Sequence, residues 1–164
     1  MTRGFTLWFA LVAMFLAYLV MLGWVETNGF VSADVTELWA KVLVLSDGPS
    51  AFRATDAIYP PLPFIMALAV QSGVGGLSPV PVPLLISAAL AALMMLMWFN
   101  NLRENGQFTL WGALATTALL GLNPFFLRAV TDGPATVLAV IGTWVFARGI
   151  VNLRLTGNAP DMMK

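Results

Sequence analysis

Long uninterrupted apolar runs dominate the chain, separated by short polar breaks. A helix needs about 20 apolar residues to cross roughly 30 Å of hydrocarbon. Residues 5–24 form such a run, with Trp8 and Trp24 near its ends, where amphipathic rings favour the membrane interface. The next begins at Pro81-Val82-Pro83 and runs over 82–99, until the polar break Asn100–Gln107. Two more follow, over 108–123 and 134–151, before a polar tail at 152–164. The pattern predicts four membrane-spanning helices at these positions.

Residues 25–81 form the one long stretch that is neither span nor tail. Val35, Leu38, Trp39, Val42 and Leu45 recur at helical spacing, which predicts an amphipathic helix over about 35–45 lying on the membrane. Ser46-Asp47-Gly48-Pro49 ends it with a turn. A second apolar piece, at 62–70, follows Pro60, Pro61 and Pro63 and precedes the glycine-rich SGVGG break. It is too short for a crossing and suits an interfacial or re-entrant helix over about 61–71.

Composition and charge narrow the class. Hydrophobic residues make up 59% of the chain and charged residues 10%, against about 45–50% and 25% in soluble domains. This is the composition of an integral membrane protein. The absence of His and Cys removes disulfides, thiolate nucleophiles and the usual zinc ligands. A net charge of zero gives no reason to expect a nucleic-acid partner. The first run is longer than a signal-peptide core and lacks a small-x-small cleavage site, so it reads as a retained anchor.

The positive-inside rule sets the topology. Four spans with the N-terminus inside put Arg3, Arg103, Arg148, Arg154 and Lys164 on the cytoplasmic side, leaving Lys41, Arg53 and Arg128 outside. Counting 62–70 as a fifth span would move Arg103, Arg148, Arg154 and Lys164 outward. The expected fold is therefore an all-α integral membrane protein, a single membrane domain with four transmembrane helices and both termini inside. Its outer loop, 25–81, carries one or two interfacial helices and has five acids against two bases.

Candidate chemistry gathers on the outer side. Asp34, with Glu37 three residues on, has the spacing of an N-cap and its capping-box partner. Thr131-Asp132-Gly133-Pro134 likewise resembles a helix start, with proline in the first turn. Both acids fall on one side of the membrane beside low-dielectric surroundings, a setting that suits a general base. Arg128 has three readings: phosphate ligand, ion-pair partner of Asp132, or headgroup-seeking side chain. Arg53 is a further phosphate candidate. Tyr59 opens the stiff Tyr59-Pro60-Pro61-Leu62-Pro63 entry, which aims the loop back at the membrane. Met94, Met95 and Met97 read as packing or lipid contact. Gly73-Val74-Gly75-Gly76 is too short for a phosphate loop.

In this order, the anchor at 5–24, SADVTELWAKVLVLSDG, DAIYPPLPFIMALAVQSG and NPFFLRAVTDGPATVLAV resemble the N-terminal part of the GT-C superfamily. Those are polytopic membrane glycosyltransferases that use polyprenyl-phosphate sugars as donors. The resemblance covers nearly the whole chain as a loose pattern, and YPPLP with its upstream Asp is its most specific piece. It implies Asp34 and Asp132 as catalytic acids, with Arg128, Glu37, Tyr59 and Arg53 binding substrate. It implies direct displacement with inversion at the sugar, a lipid-linked donor, and a divalent cation as the one cofactor it admits. The implied location is the bacterial cytoplasmic (inner) membrane, with the active face periplasmic or extracellular. Members of that superfamily carry further spans, so other helices would complete the module.

The alternative is a non-catalytic subunit of a larger membrane complex. Small residues at Ala88, Ala89, Ala91, Ala92, Gly112, Ala113, Ala115 and Gly142 would admit neighbouring helices. A transporter fits less well, because no charged residue sits mid-span.

Overall fold

A computed structural model describes residues 3–47, 61–74 and 80–156. Among these the fold is all helical, with seven helices and no strand. They are α1 (Arg3–Thr27), α2 (Ala33–Asp47), α3 (Pro61–Val74), α4 (Val82–Glu104), α5 (Leu110–Gly121), α6 (Pro124–Asp132) and α7 (Pro134–Thr156). Three of them, α1, α4 and α7, are long and apolar enough to cross a membrane. The α5–α6 pair makes a fourth candidate crossing, bent by 56° at its break.

Helix α4 is the hub, touching every other helix. It starts well because Pro83 sits in its first turn, where a missing N–H costs nothing. The N–H groups of Leu84 and Leu85 both reach the Pro81 carbonyl. Ala88, Ala91 and Ala92 are fully buried and let neighbouring backbones come close. Part of the small-residue surface expected to meet partner chains is thus used inside this chain. Met94 and Met95 are buried as well, so they are packing residues.

Helix α1 packs chiefly on α4. It buries Tyr18 and Leu22 and exposes Trp8, Phe9, Val12, Leu16, Val20 and Trp24. An apolar side exposed along a whole helix is what a lipid-facing span requires.

Two expectations are corrected. The apolar stripe of α2 does not face lipid: Val35, Leu38 and Val42 are buried, and α2 packs on α3, α4 and α6. Helix α4 is itself apolar, and covering it with this stripe removes both surfaces from water at once. The second correction concerns Asn123–Gly133, the interval that the predicted spans over 108–123 and 134–151 leave between them as a short outer loop. It is mostly helix α6. The Asn123 side chain accepts from the Phe125 N–H at 2.9 Å, and Pro124 takes the first helical position. Phe126, Ala129 and Val130 then give the short helix a buried side.

Helix α3 has 14 residues, about 21 Å at 1.5 Å per residue, short of a crossing. The Gly48-Pro49 half of the expected turn after α2 lies outside the described residues.

Candidate site at the meeting of α2 with the α6–α7 joint

The start of α2 is built by Ser32. Its hydroxyl accepts from the Asp34 N–H at 3.3 Å, and its carbonyl accepts from the Thr36 N–H at 3.1 Å. Ser32 therefore holds the cap position expected of Asp34, and Asp34 lies in the first helical turn with its side chain exposed. An acid there is favoured by the helix dipole. Glu37 turns along the helix instead of back to the cap, and its Oε1 lies 2.7 Å from Lys41 Nζ.

Asp132 is the last residue of α6, not the first of α7 as its sequence context suggests. Gly133 links the two helices with φ 114°, a left-handed value that suits glycine. Its carbonyl accepts from the Val137 N–H at 3.3 Å, opening α7. Asp132 thus follows the negative end of α6 and precedes the positive end of α7. Arg128, one turn earlier, brings its Nε to 3.7 Å from Asp132 Oδ2. The guanidinium side chain is 81% exposed and the carboxylate 39%. At that exposure the pair is loose, and Arg128 has donors to spare for another anion.

The two halves meet in one contact. A Cβ built on Gly133 would lie 3.0 Å from Val35 Cγ2, so the α6–α7 joint sits directly against the first turn of α2. Asp34 precedes Val35 and Asp132 precedes Gly133. Each acid is one peptide step, about 3.8 Å between Cα atoms, from that contact. The backbone steps that carry Asp34 and Asp132 therefore lie in one neighbourhood, while the Asp34 side chain, next to buried Val35 on the helix, turns to an exposed side. A carboxylate there can accept a proton from a hydroxyl, and the Arg128 guanidinium can offset developing negative charge.

No known protein family, curated protein or solved structure matches this chain. The chemistry must be read from the junction itself. Among the described residues, no group of three or more carboxylates comes together to hold a metal ion. Arg53 and Tyr59 lie outside the described residues.

Sequence reasoning passed over the residues that hold α6 in place. The Tyr18 hydroxyl donates to the Gly121 carbonyl at 3.2 Å. Phe126 stands edge-on to Tyr18, ring centroids 6.1 Å apart, and lies against Trp98 at 5.0 Å. One signal was available: of the two tyrosines, Tyr18 alone lies inside an apolar run, where a hydroxyl needs a partner.

Proposed function

We propose that this chain is a GT-C-like membrane glycosyltransferase module. It transfers a sugar from a polyprenyl-phosphate donor to an acceptor on the non-cytoplasmic face, and further helices complete it. Four crossings with both termini inside, the α5–α6 pair counting as one broken crossing, put the junction on that face. Asp34 takes the proton of the acceptor hydroxyl. The freed oxygen attacks the anomeric carbon, the bond to the lipid-phosphate oxygen breaks, and the sugar inverts. Asp132 orients the acceptor, and Arg128 offsets charge on the departing phosphate.

The observation that supports this reading is the close approach of Val35 and Gly133, the residues that directly follow Asp34 and Asp132 in sequence. The order of elements that carries the GT-C resemblance supports it as well. The test is transfer from labelled polyprenyl-phosphate sugars in membranes expressing the chain. Asp34→Asn should lower the rate by about 10²–10⁴-fold, the range for losing a general base, while leaving the amount of folded protein unchanged. Undiminished transfer in both Asp34→Asn and Asp132→Asn ends the proposal.

The accessory-subunit reading has one observation in its favour. Ala89, Ala115 and Gly142 stay exposed, and nothing lies within 4 Å of a Cβ built on Gly142. Co-purification of a defined membrane partner that is lost on Gly142→Leu, with no transfer in any assay, would move the assignment there.

A further inference from the structure

The break between α5 and α6 falls inside the hydrophobic part of the chain, where a helix end is costly. The last carbonyls of a helix have no intrahelical donor, and in hydrocarbon no water replaces one. Three independent observations show how this break is held. Tyr18, from α1, donates its hydroxyl to the Gly121 carbonyl across 103 positions of sequence. Gly121 is closely covered: a Cβ there would displace the Met95 thioether and lie 2.9 Å from the Tyr18 oxygen. Just beyond the break, Phe126 is wedged between the rings of Tyr18 and Trp98. One tyrosine therefore fixes both sides of the bend, its hydroxyl the end of α5 and its ring the start of α6.

Helix α6 has only nine residues, with Arg128 at its middle and Asp132 at its far end. Nine residues span about 13 Å, so a change of angle at the break swings the carboxylate by several ångströms. We infer that Tyr18 is a positioning residue for the junction: its hydroxyl bond to Gly121 and its ring contact with Phe126 set the angle of α6 and so bring the Asp132–Gly133 end of that helix against the first turn of α2. Tyr18 touches no substrate in this account. It acts through α6. Its effect on transfer rests on the sugar-transfer reading above, whereas its effect on geometry does not.

The chain contains no cysteine, so a D34C/D132C pair can be joined cleanly by a short bis-maleimide. Introducing Tyr18→Phe keeps the ring against Phe126 and removes only the hydroxyl. Loss of a buried hydrogen bond of this kind shifts an equilibrium by about tenfold. The expected result is a cross-linking rate about tenfold lower, with unchanged elution of the detergent-extracted protein. Gly121→Ala, which displaces the Tyr18 hydroxyl, should act in the same direction. Cross-linking unchanged by Tyr18→Phe overturns the inference.

The kinetic arm uses Tyr18→Phe in the otherwise native chain. Here kcat for transfer should fall about tenfold with KM little changed, because Asp132 is misplaced while donor binding elsewhere persists. Lower cross-linking with full kcat overturns the role in transfer. Lower cross-linking in a chain whose native form transfers no sugar supports the positioning and removes the sugar-transfer reading instead.

Discussion

Gly133 carries more of the fold than its size suggests. Its φ of 114° excludes most side chains, and a Cβ would crowd Val35 Cγ2 at 3.0 Å. Gly133→Ala should cost about 1–3 kcal/mol, the range for a non-glycine residue forced into such a conformation. Thermal unfolding in detergent would register this as a lowered midpoint, and a midpoint equal to the native one would show that the joint relaxes. Leu38 is nearly inaccessible beneath α2, and Leu38→Ala should cost about 2–5 kcal/mol by leaving a cavity. The neighbouring Glu37–Lys41 pair is half exposed, and Lys41→Ala should change stability by less than about 1 kcal/mol. Sequence alone distinguished these neighbours well. The stripe Val35, Leu38, Val42 followed from helical spacing, because periodicity reports which residues share a side. Spacing could not say that Ser32 rather than Asp34 caps the helix, since both are good caps two positions apart.

At the scale of elements, the break at Asn123 is the least expected feature. The apolar run over 108–123 promised one straight span, and hydrophobicity alone has no way of marking a bend. The cues were local: Asn123 before Pro124 is a strong helix start, and a start inside an apolar run implies a stop just before it. Asn123→Ala removes the acceptor for the Phe125 N–H and should destabilise α6 by about 1 kcal/mol. The sensitive readout is hydrogen exchange at the first turn of α6, which should speed up by about fivefold while α4 stays protected. Equal protection in both proteins would show that Pro124 alone starts the helix. Helix α2 made the opposite lesson visible: its amphipathic pattern was plain, but whether lipid or protein covers the apolar side depends on α4, which is distant in sequence.

For the whole molecule, the hub role of α4 follows from its composition. Over 82–99 this helix is apolar on all sides and rich in alanine, and at 23 residues it is long enough to be surrounded. The proposed four-crossing topology makes a direct prediction. Asn28 and Asn105 are both exposed and follow α1 and α4 respectively. In closed vesicles of known orientation, Asn28→Cys should react with a membrane-impermeant maleimide from the outer side only, and Asn105→Cys from the inner side only. Reaction of both from the same side would mean that α3 crosses after all, and Arg103 would then lie outside. The candidate junction was legible only in part. Asp34 and Asp132 stood out as acids near helix ends, whereas the approach of the two helix ends rests on two small apolar groups, Val35 and Gly133, which carry no chemical flag.

The Tyr18–Gly121 bond also imposes a timetable on biogenesis. Helix α1 emerges from the ribosome some sixty residues before its main neighbour, and the hydroxyl partner of Tyr18 follows 103 positions after it. Until α4 emerges, α1 lacks the helix it chiefly packs on. A chaperone or insertase guarding that interval would hold α1 by the side that later meets α4, and a nascent chain arrested before residue 121 should leave Tyr18 open to photo-crosslinking with such a guardian.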